Sequence, residues 1–253
     1  MSADQYLANR RVVVTRSAEQ ALSLCRALER AGAVPIRFPT IQTRAVSIDD
    51  GFAHLRDADW LVFTSTNGVR YYLDALDDSS LPASARIAAV GTATASALRQ
   101  RGVDVAIVPD AFDGRHLAVA FEETDGRRFV LVQPIEAMPD LAEFLESRGG
   151  IVTRVVAYRT ETASSDARSA AVLAEGVDAV TFTSPSTVRG FVELVDRKTR
   201  LTLEHAIVVC IGPVTAGEAL RCGIHVDAVA DPHTTEGLLA ALDRCFEETA
   251  TTS

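Results

Sequence analysis

The sequence predicts an α/β protein of two similar domains, each a parallel sheet flanked by helices. Three observations predict it. Short β-branched runs alternate with helical patterns along the whole 253 residues, the order that parallel sheets covered on both faces require. The second half repeats the first, element by element, at a displacement of 117 to 123 residues. Two long extended segments, finally, fall at equivalent places in the repeat.

In chain order, "RVVVT" at 11–15 reads as a buried strand. It is followed by "AEQALSLCRALERAG", whose apolar residues recur at spacings of three and four, and which stops at Gly32. "VPIRFPTIQTRAV" at 34–46 is extended, rich in Val, Ile, Thr and Pro. "WLVFTS", "IAAVG" and "DVAIV" mark further strands, and "FVLVQ" at 129–133 precedes the helical "PDLAEFLESRGG". "IVTRVVAYRTET" at 151–162 is the second long extended run, and "AVTFTS", "VVCIG" and "VDAVA" close the series.

Sliding one half onto the other pairs Val14 with Val132, Leu28 with Leu145 and Gly32 with Gly149. "FTSTNGVR" from Phe63 meets "FTSPSTVR" from Phe182, and "GTATASAL" from Gly91 meets "GPVTAGEAL" from Gly212. Gly102 and Gly223 each follow eleven residues behind their glycine. The period is far too long for a solenoid. It is the size of a doubly wound domain of the flavodoxin or Rossmann kind. Periodicity alone fits either two sequential halves or an arrangement in which the extended segments cross between domains.

The repeated loops lie where open α/β sheets bind ligands, at the carboxyl ends of parallel strands. Each opens a helix with hydroxyl residues, unpaired backbone N–H groups and the positive end of the helix dipole. The plain alternative is that Ser and Thr only cap helices, and duplicated domains keep their caps.

With 47% apolar and 23% charged residues, the composition is that of a globular protein. A net charge of −9 argues against nucleic acid and anionic membranes as partners, while leaving room for an anionic substrate in a locally basic cleft. Neither a signal peptide nor a membrane span is expected. Cys25, Cys210, Cys222 and Cys245 are scattered, the pattern of reduced thiols in a cytoplasmic protein, and no Cys/His cluster has metal-binding spacing. The phosphate-binding glycine fingerprints are missing, which disfavours a nucleotide-dependent enzyme.

Taken in order, "VVVTR", "FTSTNGV", "AVGTATASAL", "VVAYRT", "FTSPS" and "IGPVTAGEAL" resemble the uroporphyrinogen-III synthases, from about residue 11 to 242. The resemblance implies two α/β domains, 1–36 plus 163–253 and 44–155, joined by a two-stranded β-linker at about 37–43 and 156–162. It implies an active site in the cleft between them, and no metal or organic cofactor. The implied reaction cyclises hydroxymethylbilane with loss of its hydroxyl and inversion of ring D through a spirocyclic intermediate. A monomer is expected, with hydroxymethylbilane as its small-molecule partner and transient contact with the preceding pathway enzyme.

By the same resemblance Tyr158 is the catalytic phenol, hydrogen-bonding or protonating the departing hydroxyl. The alternative is a half-buried strand tyrosine that only packs. Arg16, Thr64, Ser65, Asn67, Gly91, Thr94, Thr183, Ser184, Ser186, Gly212 and Thr215 are implied to line the cleft and bind acetate and propionate groups. Arg44, Arg70, Arg115, Arg159 and Arg189 are further candidate cations in or beside the loops. One departure stands out: Gln133 and Pro134 occupy the place of the family's arginine–glycine pair, and Glu136 adds a negative charge. That keeps open a protein that senses a tetrapyrrole without converting it. A two-lobed small-anion-binding protein is the other rival, although such receptors carry signal peptides or DNA-binding headpieces.

Overall fold

The computed structural model describes residues 6–48, 52, 55–76, 81, 84–109, 114–164, 173, 175–196, 199–200 and 205–252. The chain divides into two compact units, Met1–Gln42 with Glu161–Ser253, and Thr43–Thr160.

The first unit holds a five-stranded sheet. In chain order its strands are β1 (Arg11–Val14), β2 (Val34–Arg37), β8 (Ala179–Phe182), β9 (Ile207–Cys210) and β10 (Ala228–Val229). In space they run β10-β9-β8-β1-β2, all parallel. This is the flavodoxin-type order, in which the chain leaves β1 toward one edge and β8 toward the other. The helices are α1 (Ala18–Arg30), α6 (Pro185–Leu194), α7 (Pro213–Arg221) and α8 (Thr235–Thr252). Strand alternation divides the core between the two faces. Val12 and Val14 pack with Leu24 and Leu28 of α1 and Leu238 and Leu242 of α8. Val13 turns the other way, toward Val188 and Phe191 of α6 and Ala216 and Ala219 of α7.

The second unit repeats the plan with its elements in a rotated order. It comprises β3 (Ile41–Ala45), β4 (Trp60–Phe63), α2 (Thr66–Ala75), β5 (Arg86–Ala89), α3 (Thr92–Gln100), α4 (Gly114–Ala120), β6 (Arg128–Pro134), α5 (Asp140–Ser147) and β7 (Ile151–Thr162). Its sheet runs β3-β7-β6-β4-β5, with β7, β6, β4 and β5 mutually parallel. Phe63, Val69, Tyr72, Leu98 and Val132 fill one face, and Trp60, Val62, Leu117, Leu131 and Leu145 the other. Strand β3 runs against β7, since Val46 N donates to Ala157 O while Ala163 N donates to Thr40 O. The chain passes from unit to unit along these two paired segments.

The internal alignment holds at the level of backbone. Gly32 and Gly149 have φ of 82° and 81°, and Gly102 and Gly223 both have φ of 75°, a left-handed turn after a helix that disfavours any side chain. One expected strand shrinks: "DVAIV" makes a single bridge, Ala88 to Ile107. As the outermost element of its sheet it has a neighbour on one side only, and its counterpart β10 is itself two residues long.

Candidate functional site

In the second unit the candidate residues gather at the carboxyl edge of the sheet. After β4 the chain turns at Thr64, whose hydroxyl donates to Val132 O at 3.2 Å, and Ser65 becomes the N-cap of α2. Ser65 Oγ accepts from Gly68 N at 3.0 Å and lies 2.9 Å from the phenol oxygen of Tyr158. Asn67, half-buried, stands in the first turn of the same helix. Gly91 is the N-cap of α3 with an extended backbone and no side-chain cap, while Thr94 is buried at 5% exposure.

A β-bulge aims Tyr158. Strand β7 pairs regularly with β6 up to Gln133 opposite Val156, then skips a residue so that Pro134 faces Tyr158. The skipped Ala157 lets Val155, Ala157 and Tyr158 all join one core cluster, where strict alternation would send Tyr158 to the other face. The ring of Tyr158 stacks on Tyr71, centroids 5.6 Å apart and planes 24° apart. Tyr71 OH donates to Thr43 O at 2.7 Å. Arg70 lies over the Tyr71 ring at 4.4 Å and donates to Thr43 Oγ1 at 3.1 Å.

Burial pushes the Tyr158 phenol above its ordinary pKa of 10.0; the Ser65 hydrogen bond opposes the shift, and the nearby Glu136 carboxylate adds to it. The phenol therefore holds its proton at neutral pH and is a donor. Since Ser65 Oγ already accepts from Gly68 N, it can give its own proton toward Tyr158 and leave the phenolic hydrogen free. Glu136, one of the residues of the departing loop, is occupied by the backbone: its carboxylate oxygens accept from Thr160 N at 3.2 and 3.3 Å.

The first unit presents a different set at its own carboxyl edge. Arg16 follows β1, half-buried, with its pKa lowered by burial and no ion-pair partner among the described residues. Ser184 caps α6 in a capping box with Thr187, and Ser184 Oγ lies 2.8 Å from Ser186 Oγ. Thr183 N donates to Thr187 Oγ1 at 3.3 Å. Gly212 caps α7 with an extended backbone, and Thr215 is buried at 3% exposure. Thr94 and Thr215 are thus buried, and the starts of α3 and α7 have no side-chain cap on their backbone N–H groups.

The candidate arginines part company. Arg189 is in an ion pair with Glu218 at 3.3 Å, and Arg44 and Arg159 have partners of their own. The side chain of Arg115 lies outside the described residues. Arg16 and Arg70 have no carboxylate partner among the described residues. Tyr71, Thr43 and the bulge at Ala157 escape a reading of the sequence. The signal for Tyr71 was present, because "VRYY" in α2 aligns with "VRGF" in α6.

Two units of flavodoxin-type order, each with helix N-termini and hydroxyls collected at the carboxyl edge, define a two-domain α/β protein, and one of them adds an aimed phenol. Comparison with known proteins narrows this. Residues 23–240 match the family described as uroporphyrinogen-III synthase HemD, and the chain belongs to that family. It is 28% identical over 264 residues to a uroporphyrinogen-III synthase of Synechococcus elongatus, covering 98% of this chain and 99% of the relative. Identity is 30% over 231 residues to that of Chlorobaculum parvum, covering 87% and 92%. A porphyrin biosynthesis protein HemD of Ruminiclostridium josui is 29% identical over 92% of this chain, which spans only 48% of that relative's length. Among solved structures, the Helicobacter pylori uroporphyrinogen-III synthetase aligns with a TM-score of 0.66 at 17% identity, covering 94% of this chain and 99% of that one. A mutant Thermus thermophilus uroporphyrinogen III synthase aligns with 0.61 at 22%, over 94% and 99%. At these identities the likeness is one of fold.

Proposed function

We propose that this protein is a uroporphyrinogen-III synthase, closing hydroxymethylbilane to uroporphyrinogen III with loss of water and inversion of ring D. The observation that carries the reading is the protonated phenol of Tyr158, 2.9 Å from the helix-capping Ser65, in a chain of this family.

The substrate closes unaided to the uninverted isomer, so the enzyme's work is to hold one folded conformation and help the hydroxyl leave. Positioning supplies much of such an effect. Tyr158 gives its proton to the substrate hydroxyl, which departs as water and leaves an electron-poor methylene carbon. Ring D attacks that carbon through its substituted position, and the spirocycle reopens and closes the inverted way. The proton released as the last ring regains aromaticity restores the phenol. Backbone N–H groups at the starts of α2, α3, α6 and α7, with Arg16, Ser184 and Ser186, bind the acetate and propionate carboxylates. Thr64 and Asn67 stand within two residues of the Ser65 that meets the phenol, and Thr183, Thr94 and Thr215 act by shaping the helix starts rather than by contact. On this reading the protein acts in the cytoplasm as a monomer, receiving its unstable substrate from the preceding enzyme.

The test is product-isomer analysis. Hydroxymethylbilane is generated in place, the protein is added, and oxidised products are separated into isomers I and III. Isomer III that scales with protein is the expected result; isomer I at the uncatalysed rate would leave a binding or sensing role. Tyr158→Phe is expected to lower kcat at least tenfold, with product binding retained, as loss of a general acid does.

A further inference from the structure

The duplicated fold supplies an internal control for each residue of the phenol's surroundings. Superposing the two loops sets Arg70 on Arg189, Tyr71 on Gly190 and Tyr72 on Phe191. In the first unit the pattern is closed. Gly190 packs against the chain beyond β2 so tightly that a Cβ there would stand 2.3 Å from Thr40 O. Thr40 is held in place by hydrogen bonds from its own hydroxyl to Thr15 O and Thr187 O. Arg189 pairs with Glu218 of the neighbouring helix, a carboxylate it shares with Arg221.

In the second unit both features are replaced at once. The place of Glu218 is taken by Ala97, and among the described residues Arg70 has no carboxylate partner and its buried Nε no hydrogen-bond partner. The place of Gly190 is taken by Tyr71, and the strand that would press against it carries the bulge and Tyr158. The result is a layered stack: Arg70 over Tyr71 at 4.4 Å, and Tyr71 over Tyr158 at 5.6 Å. Thr43 bonds both Arg70 and Tyr71, taking the Tyr71 proton on its carbonyl and an Arg70 proton on its hydroxyl. Packing alone requires none of this, since the first unit builds the same junction with glycine.

We propose that Tyr71 is a positioning residue for the reaction, fixing the plane of the Tyr158 ring, and that Arg70 and Thr43 fix Tyr71 in turn. The phenol is thereby held at two points, its oxygen by Ser65 and its face by Tyr71. A flat ring held only at its oxygen can still swing about that hydrogen bond; a stacked neighbour removes that freedom. The inference rests on Tyr158 being the reacting phenol.

The experiment compares Tyr71→Leu, Tyr71→Phe and Tyr158→Phe for kcat, KM and the share of isomer III, with far-UV circular dichroism as a check of folding. Tyr71→Leu removes the stack and is expected to lower kcat about tenfold, within the cost of small misplacements of a reacting group. Its KM should stay within about twofold, because a positioning residue does not bind the ground state. Tyr71→Phe keeps the stacked ring and is expected to recover at least half of the wild-type kcat. A Tyr71→Leu enzyme with wild-type kcat, beside an impaired Tyr158→Phe, overturns this inference and leaves the phenol's role standing. A raised KM at unchanged kcat overturns it too, making Tyr71 a binding residue. A fully active Tyr158→Phe removes the phenol itself, and the inference with it.

Discussion

Tyr72, next to the proposed positioning residue, should be better replaced. It is completely buried, and its hydroxyl has no hydrogen-bond partner among the described residues. A buried unsatisfied hydroxyl costs about 1–3 kcal/mol. Burial also drives its pKa well above the usual tyrosine value. The internal copy shows that the ring alone suffices. Tyr72 meets Phe63 edge-on at 5.7 Å and 77°, and Phe191 meets Phe182 edge-on at 5.3 Å and 80°. Tyr72→Phe removes the unpaired group, keeps the edge contact and leaves a gap smaller than a methyl, which itself costs under about 1 kcal/mol. The net gain is about 1 kcal/mol, or roughly 3–5 °C in melting temperature for a unit of this size. Urea unfolding followed by far-UV circular dichroism is the assay, with a higher midpoint and an unchanged slope expected. Product-isomer analysis should show wild-type kcat, in contrast to Tyr71→Leu. A midpoint below that of the wild type would refute the reasoning, because it would mean the hydroxyl is satisfied, most simply by an internal water.

Gly190→Ala is expected to cost about 2–3 kcal/mol, since its Cβ would stand 2.3 Å from a carbonyl that two hydrogen bonds around Thr40 prevent from retreating; the urea midpoint measures it. Alkaline pH should destabilise the protein through Cys210, whose thiol burial pushes from 9.0 up to about 12. Because the folded state holds this proton and the unfolded state releases it, the contribution is intact below pH 9 and is lost between pH 9 and about 12. Unfolding at a series of pH values should show a shallower fall for Cys210→Ala, alanine being the residue at the matching position of β5.

Much of this architecture could be read from the sequence because it rests on local pattern and on self-similarity. The β-branched runs, the three-and-four spacing of Ala21, Leu24, Cys25 and Leu28, and the paired glycines each report a backbone conformation that the chain needs wherever it folds. The site was legible only to the level of its loops. That Ser65 meets Tyr158, 93 residues away, depends on strand order, which no spacing encodes. That Arg189 is spent on Glu218 depends on two helices lying side by side. Thr94 and Thr215 follow glycine at a helix start, and that both are buried at the third helical position is not written in that spacing. The bulge at Ala157 was out of reach as well, since "VVAYRT" reads as an unbroken strand.

A duplicated domain separates what a fold needs from what a reaction needs, because both halves must meet the first demand and only one has to meet the second. Helix caps at Ser65 and Ser184, and the glycine starts of α3 and α7, occur in both units. They are therefore explained as readily by folding as by binding, and their repetition cannot decide between the two. The differences are more informative. Glutamate gives way to Ala97 in the helix that follows Arg70, and glycine to Tyr71, on which Tyr158 stacks. These two changes fall on separate elements, α3 and α2. Each by itself forgoes something stable in the other unit: an ion pair and a close backbone contact. A common structural benefit would have to repair both at the same point. The placement of one phenol accounts for them together, and it is at that ring that mutagenesis should find the chemistry.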